Sequence, residues 1–325
     1  MKSIKSILKE RILVLDGAMG TMIQRHNLEE DDFRKGWFEN HNFSLKGNYD
    51  VLSLTRPDII KGIHSAYFEA GADIVQTNTF SGTTIVQADY GLESAVYDLN
   101  LQSANIAREV AGVFTTNEPS KPRFVAGSIG PTNRIVSRSS SANNSDYREI
   151  TFDELVMSYK QQVKALMDGG VDLLLVETVF TTLNAEAAIF AIDAVFDERA
   201  ETIPIMVSGT IEDKTLEAFL SSLTHVNLLS VGFNCALGAS MLLPYLQRLS
   251  RASAFGVSVH PNAGLPSELG EYDVTAELMG AQIKEYLDEG LINIIGGCCG
   301  TTPKHISEIA RIAASYLPRK ADEYI

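Results

Sequence analysis

Apolar residues along the chain gather in short continuous runs. Longer stretches separate them, with apolar positions recurring every three to four residues. The runs are 12–17 (ILVLDG), 73–78 (DIVQTN), 124–130 (FVAGSIG), 172–178 (DLLLVET), 204–210 (PIMVSGT), 228–234 (LLSVGFN), 255–261 (FGVSVHP) and 292–298 (INIIGGC). Most do not alternate with polar residues. That is the pattern of strands buried on both faces of a parallel sheet.

The intervening stretches read as amphipathic helices over 58–70, 92–113, 152–167, 185–196, 239–249, 274–287 and 303–316. Their ends carry the expected signals. Thr151 stands ahead of 152–167 with Glu154 three residues on, a capping box. Thr302 and Pro303 form an N-cap followed by proline at the first helical position. Gly71 and the pair Gly169–Gly170 stand where helices stop. Eight strands alternating with helices predict a (β/α)8 TIM barrel, an α/β fold, with an open doubly wound sheet as the alternative. No linker or shift in composition divides the chain, so 1–318 reads as one domain and 319–325 as a tail or the start of a linker. The polar insertion 25–49 follows the first strand, and the low-complexity stretch 137–146 (SRSSSANNSD) follows the third. In a barrel both would lie on the face where functional loops gather.

Composition narrows the function classes. The chain has 325 residues, 45% of them hydrophobic, enough for a large core. No apolar run approaches the roughly 18 to 20 residues of a spanning helix. Lys9, Glu10 and Arg11 interrupt any signal-peptide core, so the expected compartment is the cytoplasm. A net charge of −14 argues against nucleic acid or an anionic membrane as the main partner. Three cysteines do not suggest a disulfide framework.

The ends of the runs are where chemistry collects. Asp16, Asn78, Glu177, Cys235, Asn262 and the pair Cys298–Cys299 all stand at or just after predicted strand ends, which converge on one rim of a barrel. All three cysteines therefore meet. Three thiolates suit Zn²⁺ with its fourth position open, and Gly296, Gly297 and Gly300 allow the turn that two adjacent ligands need. A vicinal pair that is only structural or redox-active is the alternative. With three thiolates the centre is already anionic, so a fourth, incoming thiolate stays electron-rich. That favours alkylation of a thiol over hydrolysis. Asp16 and Glu177 can pair with an ammonium group, and backbone N–H groups of Gly17, Ala18 and Met19 can take a carboxylate. Ordinary strand-end acids are the other reading of Asp16 and Glu177. The six histidines show no HExxH spacing. His260 near the rim reads as structural, and Trp37 packs either over the mouth or within its own loop.

Several phrases are familiar together: LDGAMGTMIQ, GADIVQTNTF, GSIGPTN, ETVFTTLNAEAA, GFNCALGA, PNAGLP and GGCCGTTPKHI. They resemble the homocysteine S-methyltransferase family, and the resemblance runs from about Ile12 to Ile312. It implies a (β/α)8 barrel with zinc held by Cys235, Cys298 and Cys299. Asn262 becomes a candidate oxygen ligand in the substrate-free state, and Asp16, Glu177, Ala18 and Met19 match the family's homocysteine pocket. The insertion and the phrase QADYGLE are most similar to the homocysteine-binding module of cobalamin-dependent methionine synthases. That branch implies methylcobalamin as donor, carried on a partner module, with folate, cobalamin and reactivation modules as partners. On this reading the chain is a fragment or a separately encoded module. The alternatives are a free-standing thiol methyltransferase using S-methylmethionine or betaine, and a non-catalytic zinc- or thiol-binding module. One departure stands out. After GTIEDK the branch carries a Gly- and Ser-rich loop, whereas here Lys214 runs straight into Thr215. The loop is either deleted or not represented between these two residues.

Overall fold

The structure, a computed structural model, describes residues 2–134, 150–179, 181–210, 216–267 and 272–320. Eight strands form one parallel sheet: β1 (Leu13–Val14), β2 (Ile74–Gln76), β3 (Phe124–Ile129), β4 (Leu173–Val179), β5 (Ile205–Gly209), β6 (Ser230–Gly238), β7 (Gly256–Asn262) and β8 (Ile294–Ile295). Each strand pairs with its neighbours in sequence, and β8 pairs with β1. A bridge between Leu15 and Ile74 joins the remaining edges, so the sheet closes into a (β/α)8 barrel. The open-sheet alternative is thereby excluded.

The continuous apolar runs follow from this closure. Leu13, Leu15, Leu173, Leu175 and Ile294 fill the barrel interior. Their neighbours Val14, Leu174, Val176 and Ile295 pack outward under the helices. Alternate residues thus serve two different cores, and both must be apolar. A short helix that the pattern did not suggest, Ile4–Leu8, adds Ile4, Ile7 and Leu8 to the inner core.

Helices follow each strand, among them Phe152–Asp168 after β3 and Pro303–Ala313 after β8. The Thr151–Glu154 capping box is formed, with Glu154 N–H donating to Thr151 Oγ1 at 3.2 Å. Thr302 caps the last helix and Pro303 occupies its first turn. Gly71 and Gly170 take positive φ just beyond helix ends.

Strand lengths differ from the sequence expectation in two directions. β1 and β8 are two residues each, because their predicted C-terminal halves turn away into the glycine-rich rim loops. β6 instead runs on past Asn234 to Gly238, across a register shift between those two residues.

The insertion 25–49 is organised around one carboxylate. Glu30 accepts from Arg34 Nε at 2.6 Å, Ser44 Oγ at 2.8 Å and the backbone N–H groups of Leu45 and Lys46. Trp37 is 53% exposed and sits against Phe38 of its own loop. The insertion docks on the QADYGLE segment through His41 Nε2 to Tyr90 O (2.7 Å) and Asn48 Nδ2 to Gln87 Oε1 (2.7 Å). At the far end, Arg319 is fastened to the barrel by its N–H to Ile292 O (2.8 Å) and its guanidinium to the carbonyls of Ser250, Ser253 and Phe255. The stretch 137–146, the Lys214–Thr215 junction and 321–325 lie outside the described residues.

Candidate metal centre

β6 carries the first thiol on a distorted strand end. Cys235 and Ala236 both adopt φ 58°, the left-handed region that non-glycine residues seldom occupy. The bulge turns Cys235 toward the β8 rim. There Cys298 and Cys299 follow Gly296–Gly297, and the loop is stitched down on three sides. Cys298 N–H donates to Pro261 O at 2.9 Å, and Cys299 O accepts from Ala263 N–H at 2.9 Å. Thr301 Oγ1 donates to Cys298 O at 2.6 Å, and Gly300 N–H to Thr21 Oγ1 at 3.1 Å. Gly300 has φ 79°, and a Cβ there would stand 2.3 Å from the Tyr272 ring. No other residue fits that corner.

The three cysteines are free thiols, and their sulfurs all lie within 4.8 Å of one another. Cys235 Sγ is 3.8 Å from Cys299 Sγ, and Cys298 Sγ is 4.0 Å from Cys299 Sγ. Tetrahedral zinc with Zn–S bonds of about 2.3 Å places neighbouring sulfurs about 3.8 Å apart. The spacing therefore fits one ion bound by three thiolates, and is too long for a disulfide. The side-chain oxygen of Asn262 is buried with no hydrogen-bond partner. Its amide bonds to Cys235, so that orphan oxygen stands beside the sulfurs. Among themselves the thiols titrate unevenly. Hydrogen bonds from Cys298 and Cys299 push Cys235 down, and the bonds to Cys235 push both partners up. One proton leaves readily and the others are held, unless a cation compensates.

Both predicted carboxylates are buried close to this cluster. Burial raises Glu177 to about 7, helped by the neighbouring Cys235 charge. Ser128 Oγ donates to its Oε1 at 2.5 Å. Burial raises Asp16 to about 8, with the Glu177 charge adding to it, against two bonds from Gln76. Those bonds are Gln76 N–H to Oδ2 and Nε2 to Oδ1, each 3.0 Å. The glycine-rich turn after β1 is close-packed: a Cβ on Gly17 would lie 2.6 Å from Thr301 Oγ1. The Ala18 N–H already donates to that hydroxyl at 3.1 Å, so within 17–20 it is not a free anion donor. The next residue, Met19, opens the short helix Met19–Gln24. Asn78 is engaged structurally, its amide donating to Tyr49 O at 2.8 Å and Ser53 Oγ at 3.3 Å. His260 faces the barrel interior, where burial lowers it to about 3 and keeps it neutral.

Three residues to which the sequence reading gave no role support the site. Asn234 donates to Cys298 Sγ at 3.9 Å and Tyr272 hydrogen-bonds Cys299. Thr178 follows Glu177 with φ 57°. Asn234 could have been found by its place beside Cys235. Tyr272 sits in a loop with no motif, and nothing in its local sequence marks it.

The Homocysteine S-methyltransferase family profile matches residues 13–313, nearly the whole chain. The chain belongs to the homocysteine S-methyltransferase family. It is accordingly a methyltransferase. Among solved structures, the homocysteine methyltransferase MmuM from Escherichia coli is similar in three forms. The oxidised form is 23% identical over 94% of this chain and 97% of that one, with a TM-score of 0.72. The metallated form is 24% identical over 95% and 98%, TM-score 0.70, and the apo form 22% over 95% and 98%, TM-score 0.67. At these identities the likeness carries the fold, and the family match carries the chemistry. No helix among the described residues is long and apolar enough to cross a membrane.

Proposed function

We propose that this homocysteine S-methyltransferase binds one zinc ion through Cys235, Cys298 and Cys299, and methylates homocysteine to methionine there. The observation that carries this reading is the sulfur spacing, 3.8 and 4.0 Å, beside two buried carboxylates. When bound, zinc supplies a charge that keeps the substrate thiol deprotonated at neutral pH. The chain's own groups do the rest. Glu177 and Asp16 neutralise the substrate ammonium in a site where a lone charge would be costly. The turn at Gly17–Met19 faces the substrate carboxylate with the N–H groups of Gly17 and Met19, that of Ala18 being engaged by Thr301. Asn262, whose side-chain oxygen has no partner, would help to hold the ion when no thiol is bound. The sulfur lone pair then forms the S–CH3 bond, and the donor keeps the electrons of the bond it loses.

For the donor we favour methylcobalamin carried on a partner module, as the insertion and QADYGLE imply. These two phrases pack on each other in space, through His41–Tyr90 and Asn48–Gln87. They thus form one joined feature of the chain. The test is a methyl-transfer assay with homocysteine and either methylcobalamin, S-methylmethionine or betaine, each with and without chelator. Turnover with methylcobalamin that stops on chelation is expected. Turnover only with a small sulfonium or ammonium donor would overturn the donor assignment, and chelator-resistant turnover the role of zinc.

A further inference from the structure

Two distorted strand ends, on either side of β5, close on each other in this site, and the side chain of Asn234 joins them. On β4 the register breaks between Val176 and Val179, and Thr178 takes φ 57°. On β6 it breaks between Asn234 and Gly238, and Cys235 takes φ 58°. Left-handed backbone is especially unfavourable for a β-branched residue such as Thr178, so its surroundings must hold it there. Asn234 does this. Its Oδ1 accepts from Thr178 N–H at 3.0 Å and from Ser208 Oγ at 2.8 Å. Its Nδ2 donates to Thr178 Oγ1 at 2.8 Å and reaches Cys298 Sγ at 3.9 Å. The side chain is 1% exposed, and all its hydrogen-bonding capacity is used.

The consequence is geometric. The β4 distortion follows Glu177 and sets its direction, while the β6 distortion sets the direction of Cys235. We infer that Asn234 is a positioning residue that fixes the separation between the sulfur subsite and the ammonium subsite, and so selects homocysteine over its one-methylene-shorter analogue, cysteine. A thiol amino acid must span from the thiol cluster to Glu177. With both ends tied to one amide, the cluster and the carboxylate cannot adjust independently. The inference rests on the proposed role of Glu177 as the ammonium partner.

Replacing Asn234 would strand the buried Thr178 N–H, so the test changes the other partner. Thr178→Val removes only the hydroxyl that Asn234 Nδ2 bonds, and Thr178→Ser keeps it. Dissociation constants for homocysteine, cysteine and propanethiol are measured on zinc-loaded protein, with zinc affinity from chelator competition. One methylene in a shaped pocket is worth roughly 10- to 200-fold, which is the expected wild-type preference for homocysteine over cysteine. In Thr178→Val that ratio should shrink by about fivefold or more, the scale of one lost hydrogen bond. Zinc affinity and propanethiol binding should hold, and Thr178→Ser should restore the ratio. A wild-type ratio in Thr178→Val, or equal losses for all three thiols, overturns the inference. A wild-type protein that binds propanethiol as tightly as homocysteine would instead remove the Glu177 reading, and the inference with it.

Discussion

Glu177 shows how far a single residue's environment can alter its chemistry. A strand-end glutamate in water is ionised at any ordinary pH. Here it is 7% exposed and raised to about 7, so near neutrality it is poised between charged and neutral forms. Glu177→Gln keeps the shape and an acceptor for Ser128 but removes the charge. A charge-assisted hydrogen bond contributes roughly 1.5 to 3 kcal/mol. Homocysteine binding should therefore weaken about ten- to a hundredfold. Zinc content and propanethiol binding should be unchanged, since the carboxylate is not a ligand in this arrangement. The sign of the pH effect follows. As pH falls through about 7, Glu177 gains its proton and can no longer pair with the ammonium, so homocysteine affinity should fall relative to propanethiol. The variant should keep only the part of that relative dependence that Asp16, raised to about 8, contributes. Titration calorimetry with both thiols across this range checks it, and parallel losses for the two would assign Glu177 to the metal site or to the fold.

At the scale of elements, the site depends on where strands stop. β1 and β8 end early, and their continuations become the loops 16–18 and 296–302; Thr301 ties the two loops together, and Thr21 of the following helix ties down Gly300. Gly300 is the tightest point in that seam. A side chain there must both hold φ 79° and displace the Tyr272 ring, which contacts Cys299 through its hydroxyl. Gly300→Ala should cost about 1–3 kcal/mol of stability from backbone strain. It should also weaken zinc binding by roughly 10- to 100-fold, as changes beside metal ligands do. Denaturant midpoints and chelator competition would measure the two effects. Unchanged zinc affinity would mean the loop yields without moving Cys299. The bulges on β4 and β6 belong to the same level: a hydrophobic pattern marks the strands but not their distortions, because the distorted residues Thr178, Cys235 and Ala236 are ordinary strand or helix residues by composition.

For the whole molecule, the question is whether metal and fold are separable. The barrel has two apolar cores, one inside the strands and one beneath the helices, and none of the three cysteines belongs to either. A domain of this size buries enough surface to fold without a metal clip. Cys298→Ala and Cys235→Ala should therefore lose zinc and activity yet still unfold in one cooperative transition. X-ray absorption on the wild type should show about three Zn–S bonds near 2.3 Å, and a fourth when homocysteine is added. Variants that are unfolded on purification would make the site structural, and a nitrogen-dominated shell would displace the three-cysteine assignment.

Much of this protein was determined by its sequence alone. Eight apolar runs separated by amphipathic stretches require a parallel sheet covered on both faces, because only that arrangement buries alternate residues in two cores at once. Placing Cys235, Cys298 and Cys299 at run ends then brings them to one rim, as a property of topology rather than of detailed geometry. The motifs carried the family for the same reason: they mark rim loops. Tertiary structure decided the rest. Ala18 spends its N–H on Thr301 and Asn78 its amide on the insertion, and both choices depend on residues distant in sequence. Tyr272 and Thr178 enter the site through a loop packing and a left-handed bend that no local pattern encodes. The raised carboxylates are likewise products of burial, which exists only after the chain has closed around them.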